Sequence, residues 1–197
     1  MSSPVDLAVR QQGSGKPLVL LHGLFGQGMN FQGVMRRLSE HCSCTALDLR
    51  NHGRSPHVSH MTYLDMAADV AAYIRAHHPD GADIVGHSMG GKVAMALALN
   101  EPELVTGLVV ADIAPVAYEH DFEFVVAPLR RLDLTTVESR ADADLRLRPS
   151  IADAGLRGFL LTNLARDQQG WRWRVNLPAI DAAMPELMGF PESLRRE

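Results

Sequence analysis

Short unbroken apolar runs alternate along the chain with segments in which apolar residues recur every third or fourth position. Residues 17–21, Pro-Leu-Val-Leu-Leu, are such a run, and residues 44–49, 82–85 and 108–113, largely apolar, read as further short strands. That is the pattern of strands buried on both faces. Residues 5–10 alternate weakly and stop at Gly13-Ser14-Gly15, which predicts an edge strand and a turn. Between the runs, Asn30 is placed to cap a helix carrying Phe31, Val34, Met35 and Leu38. A longer amphipathic helix is predicted over 62–78, with Leu64, Ala68, Ala71 and Ile74 on one side and Pro79-Asp80-Gly81 closing it. Another follows over 89–99. Strands separated by helices of this length require right-handed crossovers, so the class is α/β with a mostly parallel sheet flanked by helices.

After Ala114-Pro115 the pattern changes. No further continuous apolar strand is read before the end. Thr135-x-x-Glu138 and Ser150-x-x-Asp153 read as capping boxes, and Leu156, Phe159, Leu160 and Leu164 make a helical apolar face. Residues 171–175, Trp-Arg-Trp-Arg-Val, alternate but are short, which predicts an extended connector. The expected organisation is a core over 1–114, a helical lid over 115–190, and a return toward the core over 191–197.

Composition narrows this picture. At 197 residues the chain suits one domain. Its formal net charge of −4 gives no general field for nucleic acid. The only lysines are Lys16 and Lys92, and the arginines are scattered among acids. Cys42 and Cys44 are too few for a disulfide framework or a structural zinc site. No segment approaches a membrane span or a cleavable leader, so a soluble cytoplasmic protein is expected. Neither a metal cluster, a dinucleotide fingerprint nor a phosphate-binding loop is present, and no cofactor is implied.

The chemistry gathers at Gly86-His87-Ser88-Met89-Gly90. An apolar strand precedes this G-x-S-x-G and a helix follows it, the context in which a serine is lifted above the sheet edge on a strained turn. A serine attacking a carbonyl needs donors for the oxyanion it creates. The amide of Met89 is one. The second should come from a loop after an earlier strand, and His22-Gly23-Leu24-Phe25-Gly26 is so placed, with the Leu24 amide first choice and Phe25 second.

The motifs His22-Gly23, Asp48-Leu49-Arg50-Asn51-His52-Gly53-Arg54-Ser55, the serine elbow and Asp112-Ile113-Ala114-Pro115 occur in that order. Together they resemble the α/β-hydrolases of the small bacterial esterase group that includes YbfF-type enzymes and the mitochondrial ABHD-eleven-like hydrolases. The resemblance implies a serine hydrolase for esters or thioesters of small acyl groups, working through an acyl-enzyme. It counts strand 108–113 as the sixth of the fold and makes Asp112, at its end, the acid that orients a catalytic histidine. Asp48 ends an earlier strand and is expected to hold the loop after it. None of the nine histidines fits the family's late position. His22 and His52 lie in early loops, His87 adjoins the serine, and only His120, at the start of the lid, could approach it. The resemblance thus implies a chain lacking the last two strands and the histidine, with the last strand left as an open edge through which two copies could pair.

A small-molecule acyl ester is the expected partner, in an apolar pocket drawing on His22, His87, Phe122, Phe159 and Trp171, although aromatics at helical spacing also suit a lid core. The other function open at this point is a non-catalytic remnant of the fold that binds a small apolar ligand or a partner.

Overall fold

A computed structural model describes residues 2–118 and 122–194. Strands β1 (Ala8–Gln12), β2 (Lys16–Leu21), β3 (Cys42–Asp48), β4 (Ala82–His87) and β5 (Val105–Ala111) form one sheet in the order β1-β3-β2-β4-β5. β2, β3, β4 and β5 run parallel, and β1 closes one edge antiparallel to β3. Thus the strand that the resemblance counts as the sixth is the fifth strand here. It ends at Ala111, two residues before the expected stop, because Asp112 turns to a φ of +60°.

The two faces of the sheet follow the strand period. Val19, Leu21, Leu47 and Ile84 point to one side, under α2 (Tyr63–His77) and α3 (Met89–Asn100). Leu18, Leu20, Cys44 and Ala46 point to the other, under Met35 and Leu38 of α1 (Gln32–Leu38). α2 is placed by its sequence. Thr62 caps it and forms a capping box with Asp65, while Met66, Val70 and Ile74 are fully buried, each contributing roughly 1.5–3 kcal/mol on transfer from water. The expected cap at Asn30 is not used. A 3-10 turn over Gly28–Phe31 intervenes, Asn30 Oδ1 accepts from the Gln27 amide at 2.6 Å, and α1 begins at Gln32.

The segment after β5 carries α4 (Glu123–Arg131), α5 (Arg140–Leu147), α6 (Ala154–Leu161) and α7 (Leu177–Met188). Both expected capping boxes are displaced. Ser139, not Thr135, accepts from the Asp142 amide, and Asp153, not Ser150, accepts from that of Leu156. In each case the residue nearest the apolar period is the cap. Leu164 leaves the helix and starts β6 (Leu164–Asp167), which pairs antiparallel with β7 (Gly170–Trp173). The expected connector is therefore a hairpin, turned at Gly170 with φ +114°. No helix among the described residues is long and apolar enough to cross a membrane.

Among the described residues β5 pairs only with β4 and leaves Leu108 40% and Val109 56% exposed, an open edge that invites strand pairing. Self-association through β5 is the expected behaviour, measured as mass by light scattering on a sizing column. Val109→Lys should move that mass toward the monomer. A chain already monomeric before substitution would contradict the expectation.

Candidate active site

Three parallel strands deliver their ends to one place. Leu21 of β2 lies opposite Gly86 of β4, and His87 opposite Ala111 of β5. The residues just beyond, His22, Ser88 and Asp112, therefore emerge at the same carboxyl edge, where ligands of such sheets bind. The Ser88 amide donates to the Ala111 carbonyl at 2.9 Å, tying the serine to the end of β5.

Ser88 has φ +51° and ψ −122°, a region that L-residues avoid and that surrounding structure must enforce at a cost of about 1–3 kcal/mol. Glycines make the turn possible. A Cβ on Gly86 would run into the Gly90 carbonyl, and one on Gly90 into the Leu21 carbonyl. Ser88 accepts at its backbone carbonyl from the Gly91 and Lys92 amides, so α3 starts directly beneath it with its positive end toward the cavity.

Across the cleft, the Gly26 amide donates to the Gly23 carbonyl at 2.9 Å and folds residues 23–26 into a turn. A Cβ on Gly23 would stand 3.2 Å from the Ser88 Cβ. The loop thus lies against the serine. Phe25, the second choice as oxyanion donor, is excluded: its amide donates to His52 Nε2 at 3.2 Å and its side chain is buried. The loop and cap hydrogen bonds among the described residues use neither the Leu24 nor the Met89 amide.

His22 is not a pocket residue. Its Nδ1 faces the Gly23 carbonyl at 2.8 Å, and its Nε2 accepts from the Leu49 amide at 3.0 Å. His52 repeats the arrangement, with Nδ1 on the Arg50 carbonyl at 3.0 Å and Nε2 on Phe25. Both rings are fully buried, and desolvation lowers their pKa values to about 4 for His22 and about 3 for His52. Each ring must therefore be the neutral Nδ1–H tautomer, since Nε2 is an acceptor. Asp48, as expected, holds the neighbouring loops through the Gly28 amide at 2.6 Å and the Arg54 amide at 2.9 Å.

A cavity of about 490 Å³ opens above the serine. Ser88, Met89, Leu24, Asp112 and Phe122 line it, with Tyr63, Lys92, Ile113, Ala114, Tyr118, Leu187 and Met188 completing the wall. Phe159 and Trp171, expected in the pocket, lie outside its wall, half-buried against the main apolar core, and Arg166 lies over the Trp171 ring at 5.6 Å. His87 is exposed and outside the wall. Its Nε2 is 3.7 Å from Asp112 Oδ2. The Asp112 side chain itself is 86% exposed. No histidine among the described residues lines the cavity, and His120 lies outside those residues.

Lys92 escaped the sequence reading. It is 1% exposed, and Nζ donates to the carbonyls of Val116 at 2.9 Å, Met188 at 3.3 Å and Gly189. The Tyr63 and Tyr118 rings face it at 5.6 and 4.9 Å, close enough for cation–π attraction. Desolvation lowers its pKa to about 8. The available signal was that one of only two lysines sits a helical turn past Ser88 on an otherwise apolar helix.

Comparison with known proteins places this geometry. The family described as alpha/beta hydrolase fold matches residues 16–182. The sn-1-specific diacylglycerol lipase ABHD11 of Xenopus laevis is 41% identical over 186 residues, covering 90% of this chain and 60% of that protein. Esterase YbfF of Escherichia coli is 34% identical over 184 residues, covering 92% of this chain and 70% of that protein. A solved marine microorganism esterase superposes with a TM-score of 0.92 at 35% identity, over 95% of this chain and 75% of that one. The chain spans about six-tenths of the length of the ABHD11 relatives.

The buried imidazoles set an acid limit. Unfolded, each histidine takes a proton near pH 6.5, whereas folded they resist to about pH 4 and about pH 3. Their contribution is complete above about pH 6.5 and is lost as pH falls toward those values, at about 1.4 kcal/mol per unit for each ring. Urea titrations from pH 7 to pH 4 should show this slope, reduced by one proton in His52→Asn. An unchanged slope in that variant would sink the assignment.

Proposed function

The chain belongs to the α/β hydrolase fold family, and from that premise we propose that it is a carboxylic ester or thioester hydrolase with Ser88 as nucleophile. The observation that carries this reading is the conformation of Ser88, forced to positive φ between Gly86 and Gly90 at the floor of a cavity. Ser88 Oγ attacks the acyl carbonyl and gives its proton to a base. The bond to the leaving oxygen or sulfur breaks, and the alcohol or thiol departs with that proton. Water then attacks the acyl-serine, releases the acid and restores the hydroxyl. The amides of Leu24 and Met89 hold the oxyanion of both steps.

Asp112 is read as the acid that orients the base. Its exposed carboxylate beside the cavity suits an imidazole presented from outside the described residues. The helical segment over 115–190 serves as the lid, supplying Phe122, Leu187 and Met188 to an apolar wall that suits a small acyl group. Relatives named as an esterase and as a lipase support the ester class. The lack of a histidine on the wall among the described residues favours the second reading, a non-catalytic ligand-binding member of the fold.

Acyl trapping separates the two. Incubation with p-nitrophenyl acetate, followed by intact mass and peptide mapping, should place one acetyl group on Ser88, and Ser88→Ala should lose it. Acetylation elsewhere, or none, overturns the hydrolase reading. Where turnover is measurable, Asp112→Asn should lower kcat by orders of magnitude, approaching ~10⁴-fold, with the fold intact by circular dichroism.

A further inference from the structure

Phe25 is held where an L-residue does not rest unaided. Its φ is +60°, a conformation costing roughly 1–2 kcal/mol outside glycine. The Gly23–Gly26 bond closes the turn around it, and its amide is held by His52. The remaining backbone group, the Phe25 carbonyl, accepts from Asn163 Nδ2 at 2.7 Å. Asn163 lies far along the chain, between α6 and β6. Its own backbone is secured on both sides, by the Leu160 carbonyl at 3.0 Å and the Arg174 amide at 2.8 Å.

Packing alone does not explain an asparagine there. Asn163 is 1% exposed, and its Oδ1 has no partner among the described residues. A buried amide with one unpaired atom is costly, whereas leucine has nearly the same shape without that cost. What the amide adds is the bond to Phe25.

We propose that Asn163 is a positioning residue, which from the helical segment over the cavity pins the Phe25 backbone and thereby sets the Leu24 amide against Ser88. The inference rests on the reading of Leu24 as oxyanion donor. His52 holds the Phe25 amide and Asn163 its carbonyl, so the two ends of the residue answer to different parts of the molecule. A displacement of the segment at Asn163 is passed to the amide beside Ser88 through one hydrogen bond.

Two measurements on the chain as it stands test this, with Asn163→Leu as the near-isosteric variant and Asn163→Ala as the second. The first is amide hydrogen exchange. The Phe25 amide, which stays on His52, and the Gly26 amide, which shares a peptide unit with the released carbonyl, should exchange about tenfold faster in both variants because the turn opens more often, with amides of β2 and β4 unchanged. The second is the rate at which diisopropyl fluorophosphate modifies Ser88, followed by intact mass. Ser88 Oγ bonds to phosphorus, the P–F bond breaks, and the hydroxyl proton passes to solvent as fluoride departs; the phosphoryl oxygen gains charge on the way, so this rate should also fall about tenfold. Faster exchange at Phe25 with unaltered labelling overturns the proposal, because the clamp would then not serve the serine. Unaltered exchange overturns it directly. Loss of protection across β2 and β4 in both variants overturns it in favour of a fold-holding role. Failure of the unsubstituted chain to label at Ser88 overturns the underlying hydrolase reading, and the proposal with it.

Discussion

Main chain must pass main chain at Gly86 and Gly90, with no room for a Cβ on either. The rest of the site depends on that approach. It brings the first turn of α3 down onto the carbonyls of Leu21 and His22, so the end of β2, the end of β4 and the helix start become one object. The strain at Ser88 is sustained because its neighbours on both sides are fixed: the Ala111 carbonyl holds its amide, and the helix holds its carbonyl. Relaxing the serine would require pulling α3 away from a sheet face that buries Val93, Ala94 and Leu97 completely. Local strain is balanced by packing spread over the whole helix.

A second layer of polar groups beneath the site has no contact with the cavity. Arg50, without exposure, meets Asp69 through two nitrogens at 2.6 and 2.7 Å and Ser2 Oγ at 2.7 Å. Next to it the imidazoles of His22 and His52 stand 5.0 Å apart, each joining two separate loops. These groups are buried and bonded, and they convert the irregular stretches 22–28 and 49–58 into parts as determinate as the strands. The loops after β2 and β3 are thus held by neutral rings and by the Arg50–Asp69 pair, together with the buried side chains of Phe25 and Leu49.

Much of this was legible in the residues, for identifiable reasons. The strand runs and the G-x-S-x-G turn are signals carried by a few consecutive residues, and they single out Ser88 and Met89, while the glycine loop after the second strand offers Leu24. Asp112 came through the resemblance, and the structure sets it on the same cavity. What escaped was set by contacts between distant parts of the chain. Phe25 could not be rejected as a donor without knowing that His52 reaches its amide. Phe159 and Trp171 carry the same apolar signature whether they face a ligand or the core. The hairpin of β6 and β7 was hidden because each strand is only four residues long and finds its partner across a tight turn at Gly170. Lys92 and Asn163 act on carbonyls remote in sequence, and a backbone carbonyl leaves no mark in the side-chain pattern.

The ammonium of Lys92 holds carbonyls from both ends of the helical segment, Val116 where the chain leaves the sheet and Met188 and Gly189 where it comes back. Departure and return are therefore a single point as far as the sheet is concerned. A stretch bounded in this way is a closed loop, whose length and helix count place no demand on the register of the strands below. The roof is thereby hung from the sheet at one place, and one lysine a helical turn past the serine is the fastening.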